Sequence, residues 1–500
     1  MVAASGAGAQ PAPDEPGAAP AVPRNHGLVT GVSFEAEVID VRGRPVGNGT
    51  ELVGRAVPSL TLVNRGGRLR GTLIYSGTLT SRRGVNDREG TDYANSLSAN
   101  YLLEAIEGVG FVDARAVISQ QLISAIGGPT AALQGSSRNR SEVTTVSLSP
   151  YLRGRLGGAA EFEVRATDVE TKGGDDAISN SSVQQGSFFL RSPPSGAVLG
   201  WSLAGSHQRV KFSSASAPTD TDRVTAEIVV RPDIDWRFSV SAGQESTDVV
   251  GALRQSYDNY GVGLQWTPSP RTTVSLQGEQ RYFGRAYRVQ VDHRFMRSSL
   301  RLSSVRDVNI GSDSLSQGQV VTLYELYFIQ FASQIPDPVQ RDQFVLALLQ
   351  ALGRNRNEVV SGGLFGNTGV SAQRRHDVVW TWAGQRLTTS VSAYAFDTER
   401  VDQGGVNPLG RNDNAAQSGY AASVGWRLTP LTSINATGSR SMSKDTVTLQ
   451  GTDLKSVSLG LNTQFGARTG GTLGARYSVF NGVTDSYRET ALTGSLSLRF

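Results

Sequence analysis

Histidine titrates near neutrality and is the commonest metal ligand. The chain has four, His26, His207, His293 and His376, scattered with no metal-ligand spacing. His376 stands between Arg375 and Asp377, which reads as a solvated strand end rather than a dyad. There is no cysteine, which excludes disulfides, thiolate metal sites and cysteine nucleophiles. Serine is common, yet no nucleophile elbow occurs. The glycine-rich run 362–369 follows a helical pattern, not a strand, so it is no phosphate loop. Two acidic stretches, Gly173-Gly174-Asp175-Asp176 and Asp220-Thr221-Asp222, are assigned to long solvated loops, with a bridging divalent cation as the rival use. The chain reads as a non-enzyme with no catalytic residue, metal or cofactor.

The elements that would position any site must come from strands. No apolar run approaches the ~20 residues of a membrane helix. Fifty-seven glycines and a net charge of +4 spread along the chain offer no concentrated nucleic-acid surface. From residue 30 onward, strand-like segments alternate with turns. The alternation is clean in 260–266, where Tyr260, Val262, Leu264 and Trp266 share a face, and in 457–465, where Val457, Leu459, Leu461 and Phe465 do. The last segment, 488–500, alternates Leu492, Gly494, Leu496, Leu498 and Phe500 against Thr493, Ser495, Ser497 and Arg499. Tight turns, such as 107–110, 155–158 and 267–270, alternate with longer links, such as 42–54, 81–95, 120–142 and 398–415.

Short and long connections in alternation are the pattern of a transmembrane barrel with periplasmic turns and extracellular loops. The expectation is all-β: one large closed antiparallel barrel of about 22 strands, in a range of about 18 to 24, with 488–500 pairing with a first strand near 31–41. The six tryptophans, Trp201, Trp236, Trp266, Trp380, Trp382 and Trp426, fall at the short-turn ends, as a periplasmic aromatic girdle requires. Residues 1–29 form an Ala/Pro-rich leader that cannot bury a core. Ala7-Gly8-Ala9 before Gln10 fits a cleavage site, so the leader reads either as a remnant of a secretion signal or as a plain flexible segment.

One segment, 311–370, breaks the pattern, and its 323–353 part turns helical. Asp337 can cap, Pro338 suits the first helical position and Gly353 the stop. Phe344, Leu348 and Leu352, with Val345 and Leu349, make one apolar face. This insertion is a candidate constriction inside the lumen. It could equally cap the mouth, lie outside as an interaction surface, or be a packed insertion. Alternation places Arg68, Arg70, Glu161, Glu163, Arg165, Arg288, Asp292, Arg301, Arg427, Arg476 and Gln464 inside the barrel. Mixed charge with many hydroxyls would suit a hydroxyl-rich solute, or a salt-bridged closed interior.

FVDARAVISQQ (111–121), QRYFGRAYRVQVDHR (280–294) and FASQIPDPVQRDQFVLALL (331–349) resemble the outer-membrane protein family associated with the PEP-CTERM/exosortase system. The resemblance spans roughly 30–500, including the short Phe283-Gly284 hairpin and the last strand. It implies the outer membrane of a Gram-negative bacterium and a place beside exopolysaccharide biosynthesis and export, and it carries no catalytic residues. The expected function is a porin-like conduit for exopolysaccharide export; a non-transporting scaffold or receptor is the alternative, and an outer-membrane enzyme the third. Expected partners are outer-membrane lipid, lipopolysaccharide, exopolysaccharide with its periplasmic export components, and the barrel-assembly machinery, to which Phe500 would be the signal.

Overall fold

The computed structural model describes residues 26–500 apart from 45–47, 85–89, 123–139, 175–179, 194–197, 214–216, 252, 311–369, 402–413, 447, 467 and 484–485. The helical insertion with Phe344, Leu348 and Leu352, the leader up to residue 25, Asp175-Asp176 and the glycine-rich run 362–369 lie outside the described residues.

Strand-forming alternation continues around one 22-stranded sheet. The first quarter is β1 (His26–Arg42), β2 (Gly49–Asn64), β3 (Leu69–Gly84), β4 (Gly90–Ile106), β5 (Gly110–Leu122) and β6 (Arg140–Leu156). Then come β7 (Ala160–Gly173), β8 (Ser181–Arg191), β9 (Leu199–Phe212), β10 (Thr219–Asp233) and β11 (Trp236–Thr247). The sheet continues with β12 (Gln255–Ser269), β13 (Thr272–Arg281), β14 (Gly284–Arg294), β15 (Ser298–Ile310), β16 (Val370–Ala383) and β17 (Leu387–Arg400). It ends with β18 (Ala415–Arg427), β19 (Thr432–Asp445), β20 (Gly451–Gln464), β21 (Thr469–Asn481) and β22 (Ser486–Arg499). Each strand pairs antiparallel with its sequence neighbours, and β22 pairs back onto β1, from Gly31 opposite Arg499 to Arg42 opposite Arg488. The Phe500 amide adds a bond to the Thr30 carbonyl at 2.8 Å. Closure leaves no strand edge unpaired, which is the condition for β structure in hydrocarbon.

The sequence expectation of strand number and closing pair holds. Strand lengths differ. The links expected at 42–54 and 81–95 shrink to 43–48 and 85–89, because β1 to β4 run on into charged and hydroxyl-rich residues. Those ends lack apolar alternation but still have backbone groups to satisfy, and ladder pairing satisfies them. Turns at one rim are short, as at 107–109, 157–159, 234–235 and 270–271. Gly108 and Gly157 occupy two of them with φ of 67° and 58°, a conformation a Cβ would penalise. Longer links gather at the other rim, with two exceptions to the division, the two-residue turn 282–283 there and the seven-residue link 192–198 at the short-turn rim. Both the start of β1 and the end of β22 lie at the short-turn rim, since the strand number is even.

No single apolar core sits inside. Leucine and valine point out: Val457 and Leu459 are 62% and 55% exposed. A band of this kind is a liability in water and a match for lipid. Where a ring needs room on this surface, a glycine supplies it: the Phe188 ring lies where a Cβ on Gly205 of the adjacent strand would stand. Buried apolar residues form smaller clusters near the long-loop rim. One holds Ile39, Val41, Val53, Phe480, Tyr487 and Ala491 beside the closing seam. The other joins Val169, Val183, Val210, Phe212, Val249 and Val370, with Tyr282 packed against it. Tyr282, in the 282–283 turn, is buried enough for its phenol to be pushed above the usual range.

Candidate functional site: the two faces of the barrel wall

Strand pleating sends alternate side chains to lumen and lipid. The register places each of Arg68, Arg70, Glu161, Glu163, Arg165, Arg288, Asp292, Arg301, Arg427, Arg476 and Gln464 at an inner position. The structure brings some of them together. Arg165 bonds Glu163 at 2.9 Å and Asp113 at 2.8 Å and lies over the Tyr151 ring. Asp292 meets Arg301 across the β14–β15 ladder at 2.7 Å. Others stay apart. Glu161 takes Arg191 at 2.8 Å and Arg155 at 3.2 Å, Arg427 donates to the Gln385 carbonyl at 2.9 Å, and Arg68 and Arg70 stand near Glu107 and Glu104 at 3.8 and 3.9 Å. Arg288 is exposed to the lumen with no anionic partner among the described residues.

Two inner clusters were not visible in the strand pattern. At the seam, Glu37 of β1 accepts from Arg55 of β2 at 2.7 Å and from Arg476 of β21 at 2.9 Å, while Arg476 also reaches Glu489 of β22 at 2.6 Å. Glu35 adds a second bond to Arg55. Four strands around the closure are thus held by one ionic chain, with Glu37 and Arg55 both buried. Farther round, Arg281 bridges Glu245 at 2.6 Å and Asp307 at 3.0 Å, and Glu245 is fully buried. Arg223 pairs with Glu279 nearby. Between the ion pairs the wall carries hydroxyl pairs. Ser299 meets Thr381 at 2.8 Å, Ser390 meets Ser423 at 2.6 Å, Thr221 meets Thr247 at 2.8 Å, and Tyr394 meets Ser441 at 3.0 Å.

The inner wall is uneven. Along β16 and β17 nearly every inner position is buried, including Val379, Thr381, Ser390, Ser392 and Thr398. On β3 the inner positions Thr72, Ile74, Ser76 and Thr78 are half-buried and Arg70 is exposed.

Outside, all six tryptophans lie on the outer face toward the short-turn rim. Trp236 and Trp266 are cross-strand partners stacked at 5.3 Å. A second aromatic row, unremarked in the sequence, lies toward the long loops: Tyr93, Tyr260, Tyr420 and Tyr477, all outward and 46–62% exposed. Tyr420 and Trp426 share one face of β18 six residues apart, roughly 20 Å along a strand. Two amphipathic rows bracketing an apolar band mark the two interfaces of a bilayer. Phe500 is outward and exposed at the short-turn rim.

The sequence reading of two polar stretches needs correction. Asp220 and Asp222 are not in a loop. They sit on the outer face of β10, where Arg209 pairs with Asp220 at 2.8 Å and His207 with Asp222 at 2.6 Å. These partners occupy their oxygens, so the pair presents no open cation site. His376 does not share surroundings with its neighbours either. Arg375 and Asp377 turn inward and pair at 2.7 Å, while His376 turns outward and bonds Ser304 at 2.8 Å. The pleat, invisible in a tripeptide, separates them. His293 bonds Thr272 at 2.8 Å. Among the described residues no group of three acidic or imidazole side chains is placed to hold a metal ion.

No family model matches the chain, and no curated protein does. Among solved structures it is similar to the FrpB iron transporter from Neisseria meningitidis (F5-1 variant), with a TM-score of 0.47, 10% identity and coverage of 94% of this chain and 82% of that one. It is also similar to Pseudomonas aeruginosa OccK5 (OpdH), with a TM-score of 0.33, 10% identity and coverage of 95% and 98%, and to OmpTdeltaL8, an outer-membrane protein of Vibrio cholerae, with a TM-score of 0.31, 9% identity and coverage of 95% and 100%. At these values no role is carried over. The closed sheet, its apolar exterior and its two aromatic rims are this chain's own, and they make it an outer-membrane β-barrel.

Proposed function

We propose that the barrel is a passive, porin-like conduit for hydroxyl-rich solutes or polymer, serving exopolysaccharide export as the resemblance to the PEP-CTERM/exosortase-associated family suggests. The observation that supports it most is the lumen chemistry. Its cations and anions largely neutralise one another, leaving serine and threonine hydroxyls, amides and a few free guanidiniums to meet the solute. Such a wall hydrogen-bonds sugars without strong ionic bias. Arg68, Arg70 and Arg288 are among the inner charges most open to a solute. The half-buried inner positions of β3 favour a path along that wall rather than along β16 and β17.

Planar-bilayer recordings test this. The folded barrel should conduct with weak cation–anion discrimination, and soluble acidic or neutral polysaccharide fragments should block transiently. The chain lacks native cysteine, so Ser76→Cys and Thr381→Cys can be compared directly. A thiol reagent added in water should modify position 76 about tenfold or more faster than position 381, whose native threonine is 1% exposed. A folded barrel that neither conducts nor labels at position 76 is a scaffold or receptor, the reading that the buried wall of β16 and β17 favours.

A further inference from the structure

We propose that Arg285, Arg306 and Arg374 form a site on the outer wall for the phosphate-bearing headgroup of an outer-leaflet glycolipid. The proposal rests on reading the chain as an outer-membrane barrel and adds a specific ligand surface to it.

Arg306 of β15 and Arg374 of β16 are direct cross-strand partners on the lipid-facing side. Arg285 of β14 lies on the same face, one step diagonal from Arg306, whose direct partner is Tyr287. Three adjacent strands thus present three guanidiniums in one row. Like charges directly opposite destabilise a sheet unless something compensates. At two other places on the outer wall the compensation is a carboxylate: Arg209 has Asp220 at 2.8 Å, and Arg440 has Asp453 at 2.9 Å. At β14–β16 there is none among the described residues. Arg306 donates to the Arg285 carbonyl and stands 5.7 Å from the Phe283 ring, contacts that orient it without neutralising it. Asp397 lies opposite Arg374 in the register but makes no ion pair with it. Arg285 and Arg374 are exposed.

Height on the wall selects the ligand. Toward the short-turn rim the same faces are apolar: Val289 and Val291 on β14, Leu300 and Leu302 on β15, Val378 and Trp380 on β16. Between band and arginines come Tyr287 and the Ser304–His376 pair, bonded at 2.8 Å. The guanidiniums therefore stand where hydrocarbon gives way to headgroups, on the long-loop side, which is the outer leaflet. A guanidinium fork grips a phosphate bidentately and is weakly hydrated, so it suits this depth better than a lysine would. A phosphate seated between Arg306 and Arg374 would turn their repulsion into attraction, with acyl chains lying on the valine and leucine faces below.

The test uses the full-length barrel, purified in detergent and delipidated. Binding of lipopolysaccharide, of the same glycolipid after phosphatase treatment, and of inorganic phosphate would be measured by native mass spectrometry. Barrel integrity would be checked by heat-modifiable gel mobility. The intact protein should hold the phosphorylated glycolipid about tenfold or more tighter than the dephosphorylated form. Arg306→Ser with Arg374→Ser should reduce binding of the phosphorylated lipid to that lower level, while Arg209→Ser should leave it unchanged. Arg306→Lys with Arg374→Lys, should the serine variant misfold, keeps the charge and should lie between the two. Equal binding of all variants, equal binding of both lipid forms, or inorganic phosphate competing as strongly as the lipid would each overturn the proposal. Sucrose-gradient fractionation away from the outer membrane would instead overturn the barrel's location, so the two failures are distinguishable.

Discussion

Two groups of arginines, one on each face of this wall, are treated differently. Inside, Arg55, Arg165, Arg281, Arg301 and Arg476 each meet one or two carboxylates on their own or nearby strands. Outside, at β14–β16, Arg285, Arg306 and Arg374 stand together without one among the described residues. These five inner guanidiniums sit in a confined space, where an unpaired charge loses water it cannot replace. Their carboxylates are the condition for being there. The outer three sit at a headgroup boundary that supplies anions from the solvent side. The same residue type therefore holds the barrel together on one face and meets its surroundings on the other, and stability and lipid binding should separate on mutation.

The largest effect is expected inside. Arg281→Met would keep most of the side-chain volume and leave Glu245 and Asp307 without their cation. Removing one partner of a buried pair costs about 3–5 kcal/mol. The urea midpoint of the barrel in micelles should fall sharply, with loss of the heat-modifiable form at room temperature. An unchanged midpoint would show that Glu245 is not held by Arg281 and would erase the contrast between the faces.

A smaller loss is expected at the seam. Glu37→Gln keeps an acceptor oxygen but removes the charge that Arg55 and Arg476 share, leaving Glu35 and Glu489 to hold them. A charge-assisted hydrogen bond contributes about 1.5–3 kcal/mol, so the unfolding free energy should drop by an amount in that range. Glu489→Gln should cost less, since only Arg476 loses by it. If the order of the two is reversed, the ionic chain is centred on β22 rather than on β1.

These clusters show where sequence reading stops. Inner positions such as Glu163, Arg165, Asp292 and Arg301 were legible because a period of two fixes the face of each residue once one apolar neighbour is assigned. The tryptophan rim was legible because each indole sits beside turn chemistry. Partnership was not, because it depends on registers between strands. Arg476 and Glu37 are 439 residues apart in the chain, and only closure of the sheet brings them to 2.9 Å. Arg281 and Glu245 are 36 apart and require the ladders of β11 to β13 to be in step. The ends of β1 to β4 carry no strand signature in the sequence for a related reason. Past the bilayer, a strand needs no apolar alternation, only ladder partners. The tyrosine row was passed over because its members are scattered among turnless stretches, and only the common sheet aligns them.

The smallest effect on stability is expected outside, and its sign is the informative part. Arg374→Asp, combined with Asp397→Asn so that no like-charge pair forms with β17, places an aspartate directly opposite Arg306, so a repulsive cross-strand pair becomes an attractive one. Opposite charges at such positions are worth about 0.2–1 kcal/mol, and solvent screening keeps the gain at the lower end. In delipidated detergent the variant should therefore be as stable as the parent or slightly more so, read as the urea midpoint. In outer-membrane lipid the order should reverse, because the aspartate repels the phosphate that the parent would bind. A variant less stable than the parent even without lipid would mean that Arg374 supports the sheet itself, and the distinction between the five paired inner arginines and the three outer ones would fail at the residue where it is sharpest.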